Sequence, residues 1–113
     1  MQKINEDKIS TVVIDLDAVN TGAINEGGFL RMFGWAVENI LSKMFSGGKI
    51  PVSITGNPAQ VNSFSRTLAN EKRYLEAWKN YGLDDPRTYR NRARLQDSIH
   101  KFERLTGLDW PFE

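Results

Sequence analysis

Two helix-start signals and two helix-stop signals frame the second half of this chain and leave it little conformational freedom. Asn57-Pro58 opens a helix. An Asn side chain can cap the free backbone N–H groups, and Pro suits the first helical position, where no donor is needed. Tyr81-Gly82-Leu83 closes that helix, with Gly in the left-handed cap position and Leu available for the apolar contact beyond it. Asp84-Asp85-Pro86 opens the next helix by the same chemistry, and Thr106-Gly107-Leu108 ends it. So short a connection between two long helices predicts an antiparallel αα-hairpin. Between the signals, Val61, Phe64, Leu68, Glu71, Leu75 and Trp78 keep a 3-4 rhythm, and Leu95, Ile99, Phe102 and Leu105 form the facing stripe. Gly82-Leu83-Asp84 and Gly107-Leu108-Asp109 match locally, which reads as reused capping chemistry rather than an internal repeat.

The first half alternates between the two backbone periods. Across residues 9–18, Val12, Ile14, Leu16 and Ala18 alternate with Val13, Asp15 and Asp17, the period of a half-buried strand. Asn20-Thr21-Gly22 breaks it. Across residues 29–46, Leu30, Phe33, Val37, Ile40, Leu41, Met44 and Phe45 follow helical spacing, and Met32, Trp35 and Ala36 widen the stripe beyond one face. A helix apolar over most of its circumference is either central in a core or half of an interface. Gly47-Gly48 ends it. Residues 49–55 form a second short strand, with Ile50, Val52 and Ile54 on one side and Pro51 marking an edge position. The expected fold is a single α+β domain over residues 1–113. A short two- or three-stranded sheet, its third strand near residues 20–24, packs against three helices, the last two forming the hairpin.

With 113 residues, 40% hydrophobic and 26% charged, the chain has ordinary globular composition. Zero cysteines exclude disulfides, thiol nucleophiles and cysteine-ligated metals, and a single histidine, His100, excludes multi-histidine sites. The formal net charge of +1 hides a split. Residues 1–64 carry five Lys/Arg against six Asp/Glu, residues 65–105 carry ten against six, and the tail from 106 adds two acids. The first seven residues, Met1 to Asp7, lack the apolar run of a signal peptide, and the apolar stretch 29–45 is interrupted by Arg31, Glu38 and Lys43. No membrane partner is expected. The expected location is the host-cell cytoplasm or a virus particle.

Three groups of residues bear on function. Asp15 and Asp17, two apart on a strand, face one side and are placed to hold one Mg²⁺ through oxygen. The run Val12-Val13-Ile14-Asp15-Leu16-Asp17-Ala18 looks like the first motif of haloacid-dehalogenase-like phosphatases. That resemblance implies Asp15 as nucleophile and Asp17 as acid/base, and Ser53-Ile54-Thr55-Gly56 resembles the second motif. The bland reading is a solvent-facing strand edge, and Asp84-Asp85 is explained by capping rather than as a last motif. No Gly-rich loop with a following Lys-Ser/Thr supports a nucleotide-binding P-loop. Second, Arg87, Arg90, Arg94 and Lys101 fall within a sector of about 60° on the last helix. Such a stripe meets phosphates, an acidic protein surface, or solvent alone. Third, Tyr74, Trp78, Trp110 and Phe112 in the second half, with Phe29, Phe33 and Trp35 in the first, form the candidate protein interface. Trp110-Pro111-Phe112 has a second reading, in which it folds back to cap the hairpin of its own chain.

The run from Glu71-Lys72-Arg73-Tyr74-Leu75 through Tyr81-Gly82-Leu83-Asp84-Asp85-Pro86-Arg87-Thr88-Tyr89 to Thr106-Gly107-Leu108-Asp109-Trp110-Pro111-Phe112 resembles small uncharacterised proteins of tailed bacteriophages. The resemblance implies a viral setting and transfers no functional residues. The leading expectation is a non-catalytic virion or accessory protein, without cofactor, that works by protein–protein contact and self-association as a homo-oligomer. The alternative is a nucleic-acid-binding accessory protein using the basic stripe. The second alternative is a small Mg-dependent phosphohydrolase using Asp15 and Asp17. At sequence level two further expectations attach to single residues: that Glu71, standing where an apolar residue is due, is buried, and that Arg92 across the hairpin neutralises it.

Overall fold

The structure, a computed structural model, describes residues 12–17, 26–47 and 51–112. It is α+β and mostly helical, in the order β1 (Val12–Asp15), α1 (Glu26–Ser46), β2 (Val52–Thr55), α2 (Pro58–Tyr81) and α3 (Pro86–Thr106). The chain divides into two compact units, residues 1–55 and 56–113. No helix among the described residues is long and apolar enough to cross a membrane.

In the first unit, β1 and β2 pair in parallel, with Val12 opposite Val52 and Asp15 opposite Thr55. Parallel neighbours need a crossover of a dozen or more residues, and the segment containing α1 supplies it. The backbone N–H of Val12 donates to the Pro51 carbonyl at 2.9 Å, and that of Leu16 to the Thr55 carbonyl at 2.8 Å. Pro51 thus takes part as an acceptor only, which suits the first position of an edge strand. The alternation expected for β1 is present: Val12, Ile14 and Leu16 are buried and Val13 is exposed. In β2 it is not, because Val52 is exposed and Ile54 only half-buried. The third strand expected near residues 20–24 lies outside the described residues.

Helix α1 begins before Phe29 and ends at Gly47, whose φ of 79° only glycine adopts freely. Phe29, Phe33, Ala36, Val37, Ile40 and Leu41 form its buried side, each large one contributing about 1.5–3 kcal/mol of burial. Phe29 and Phe33 stack with ring centres 5.3 Å apart. Met32, Trp35 and Phe45 are exposed.

In the second unit the helix starts follow the expected chemistry. Asn57 accepts from the Gln60 backbone N–H at 2.8 Å, while the Gln60 side chain accepts from the Asn57 N–H, a reciprocal capping box. Asp85 caps α3 by accepting from the Arg87 N–H. The helix ends differ from one another. Gly107 is left-handed, and Leu108 behind it is buried at 3% exposure. Gly82 has φ 84° but ψ 169°, outside the left-handed helical region, and Leu83 is 52% exposed instead of making the expected apolar contact.

The side of α2 that is buried also differs from the 3-4 reading. Gln60, Ser63, Thr67, Asn70, Tyr74 and Ala77 are buried at spacings of three and four. Of the expected stripe, Phe64 and Glu71 are buried, Val61, Leu68 and Leu75 are half-buried, and Trp78 is exposed. Small polar side chains let the two helices approach closely and donate across the seam. Gln60 Nε2 donates to the Leu105 carbonyl, Thr67 Oγ1 to the Ser98 carbonyl at 3.2 Å, and Thr88 Oγ1 to the Ala77 carbonyl. On α3, Leu95, Ile99 and Phe102 are buried as expected, but Leu105 is exposed, and Leu108 takes its place in the core.

The tail closes this core. The Trp110 ring lies 5.8 Å from Phe64 and edge-on to Phe102 at 5.3 Å. Its backbone N–H donates to Glu103, and its indole Nε1 donates to Glu71 Oε1 at 2.9 Å. Glu71 is therefore buried, as its position in the rhythm implied, but it meets an indole donor. Arg92, the expected partner, is exposed, because its side of α3 faces solvent rather than α2.

Candidate functional site

Beside the α2–α3 seam runs a groove of about 580 Å³. Asn62, Ser63, Arg66 and Asn70 enter it from α2, and Arg94, Asp97, Ser98 and Lys101 from α3. The spacing explains the grouping, since residues three, four and seven apart share one side of a helix. Each row lies next to the buried seam, so its short side chains form the floor and its long ones the walls. Ser63, Asn70 and Ser98 are buried, and Asn70 Nδ2 donates to Ser98 Oγ at 2.5 Å. Arg66, Arg94, Asp97 and Lys101 are exposed and engage in no ion pair or side-chain hydrogen bond among the described residues. Three cations against one carboxylate leave the walls with a formal charge of +2.

The expected basic stripe of Arg87, Arg90, Arg94 and Lys101 is divided by this geometry. Arg94 and Lys101 line the groove. Arg90 is exposed and does not. Arg87 is committed elsewhere: its Nε and Nη2 donate to Asp85 Oδ1 and Oδ2 at 3.0 and 2.9 Å, and its guanidinium lies 3.6 Å over the Tyr81 ring. The Arg87 side chain, with its backbone N–H, holds the Asp85 carboxyl down at about 2, and Asp85 in turn raises Arg87. Arg66, which lines the groove with Arg94 and Lys101, lies on the other helix. No pattern within α3 could have found it, and only pairing the two helices in register does so.

The seven interface candidates also separate. Phe29, Phe33, Tyr74 and Trp110 are buried within the chain and Phe112 is half-buried, whereas Trp35 and Trp78 stand 62% and 47% exposed. Trp110 thus follows the fold-back reading of the tail. Trp78 stacks on Tyr74 at 6.4 Å, and Tyr81, Leu83 and Tyr89 are further exposed apolar residues around the α2–α3 turn. In the first unit a smaller apolar cavity of about 160 Å³ lies against Val13, Phe29, Met32 and Ala36.

Asp15 ends β1 and Asp17 lies in the turn beyond it, so the two do not share a strand face. Asp15 Oδ1 accepts the Asp17 backbone N–H at 2.9 Å, a local turn bond. The parallel register does set Asp15 beside Thr55. Among the described residues no group of three or more His, Cys, Asp or Glu is placed to hold a metal ion. His100 is exposed on α3. Compared with protein-family models, with curated proteins and with solved structures, the chain matches no family, no protein and no structure.

Proposed function

We propose that this is a non-catalytic interaction protein of a phage setting, acting through self-association and contact with protein partners. The observation that carries the reading is the exposure of Trp35 and Trp78 while four of the other five aromatic candidates are buried in the chain itself. Tryptophan is among the residue types most concentrated at the energetic centres of protein interfaces, and contiguous exposed apolar surface marks interaction sites. Trp35 shares the outer side of α1 with Met32, three residues earlier and equally exposed, so the partner meets a contiguous apolar strip.

On this reading α2 and α3 form an antiparallel hairpin that serves as a rigid carrier for the second surface. The partners Gln60–Leu105, Thr67–Ser98 and Ala77–Thr88 support that direction. The nucleic-acid alternative retains Arg90, Arg94 and Lys101 but loses Arg87 to Asp85. Multi-angle light scattering at ~100 μM protein tests the main reading, that concentration being one where micromolar association is complete. The expected result is an oligomer that Trp35→Ala reduces to the monomer without changing its far-UV circular dichroism. A wild-type monomer, or an oligomer indifferent to both Trp35→Ala and Trp78→Ala, overturns it.

A further inference from the structure

We infer that the α2–α3 groove is a binding site for a small phosphate-bearing ligand of about mononucleotide size. The inference goes beyond the interaction reading, since it uses neither Trp35 nor Trp78. Four observations converge on it. Arg66 reaches the groove from one helix and Arg94 and Lys101 from the other, so three cations surround one space rather than line one face. None of the three is neutralised by an ion pair among the described residues, whereas Arg87 and Lys72 on the same helices are paired with Asp85 and Glu76. At the floor, Ser63 is more than nine-tenths buried and lines the groove, and its hydroxyl has no hydrogen-bond partner among the described residues. A buried hydroxyl is costly to leave unsatisfied, and a ligand oxygen would satisfy it. The volume of about 580 Å³ is that of a small-molecule site.

The chemistry of the walls selects the ligand. Two guanidinium forks and an ammonium suit an oxyanion with several acceptor oxygens and more than one charge, which a phosphate monoester has and a carboxylate lacks. Asp97 stands between Arg94 and Lys101 in the row. It repels a polyanion laid along α3 but accepts hydrogen bonds from sugar hydroxyls or an exocyclic amine. Arg94 and Lys101 are seven residues apart, about 10 Å of helix, room for one phosphate and the body attached to it. A compact monoester therefore fits better than a nucleic-acid backbone.

Isothermal titration calorimetry of the full chain at constant ionic strength tests this with 5′-AMP, adenosine and a twelve-residue oligothymidylate as probes. The expected result is saturable 1:1 binding of AMP at least tenfold tighter than adenosine. Arg66→Gln and Arg94→Gln should each weaken AMP about tenfold, as loss of a charge-assisted hydrogen bond does, and Ser63→Ala about threefold. Arg90→Gln, exposed on α3 but outside the groove, should leave it unchanged. All four positions are substituted without disturbing an intramolecular side-chain bond, so unchanged melting is expected and guards the comparison. AMP and adenosine binding equally, no saturable binding of AMP, or AMP binding indifferent to Arg66→Gln and Arg94→Gln overturns the site. Oligothymidylate binding more tightly than AMP, with a log–log salt slope of about −2 for three contacts on a single strand, overturns the small-ligand assignment.

Discussion

Trp110 donates its indole N–H to Glu71 at 2.9 Å, and both side chains are buried. The bond joins residues 39 positions apart and ties the tail after α3 to the middle of α2. It also gives a carboxylate a reason to occupy an interior position on a helix. Removing Glu71 leaves a buried donor unsatisfied, so Glu71→Ala should destabilise by about 1–3 kcal/mol. Trp110→Ala empties the space against Phe64 and Phe102 and should cost about 3–5 kcal/mol. Glu76→Ala breaks only a half-exposed i,i+4 pair with Lys72, and Arg92→Ala removes an exposed side chain; both should stay within about 0.5 kcal/mol. Urea denaturation of the four variants checks the ranking.

The two cap glycines predict different tolerances. Gly107 sits at φ 74°, ψ 10°, a left-handed region that Asn tolerates, so Gly107→Asn should cost less than about 1 kcal/mol. Gly82 sits at φ 84°, ψ 169°, a region essentially confined to glycine, so Gly82→Asn should cost about 1–3 kcal/mol. A Cβ meets nothing within 4 Å at either position, so the difference is backbone strain alone. Thermal melts of the two variants compare them directly.

The α2–α3 seam should resist being made apolar. Thr67 Oγ1 donates to the Ser63 carbonyl on its own helix and to the Ser98 carbonyl across the seam, and Thr67 is fully buried. Thr67→Val keeps the shape and loses the hydroxyl, for about 1 kcal/mol. Thr67→Leu adds volume where the helices are held close by small residues and should cost about 1–3 kcal/mol. Equal stability of the two variants would show that close approach is not what the small residues provide.

Acid should weaken the start of α3. The Asp85 carboxyl, held down to about 2 by the Arg87 side chain and backbone N–H, lies below its unfolded value of 3.8. Its stabilising effect is therefore complete above about 4 and is lost as pH falls from there towards 2. Wild type and Asp85→Ala should melt furthest apart at neutral pH and converge near pH 2. A constant gap across that range would show that the charge plays no part in the cap.

Capping explains why so much of the second half was legible. An N-cap or a glycine stop is a bond within four residues, so Asn57-Pro58, Asp85-Pro86 and Gly107 specify their helix ends with no knowledge of the rest of the chain. The alternation of Val12, Ile14 and Leu16 is equally local. Which side of α2 turns inward is not. Val61, Leu68 and Leu75 form as good an apolar row as any, yet Thr67 and Asn70 are buried, because they match the hydrogen-bonding groups and spacing that α3 presents. Identical Gly-Leu-Asp endings diverge for the same reason. Leu108 is buried where the tail returns with Trp110, and Leu83 is exposed where the chain turns directly into α3. The groove belongs to this second kind of information. Arg66 and Arg94 stand 28 positions apart, each ordinary on its own helix, and only the packing of α2 on α3 sets them around one space. Local hydrogen bonding determined where the elements begin and end, and side-chain complementarity between distant segments decided which faces meet and what chemistry gathers beside them.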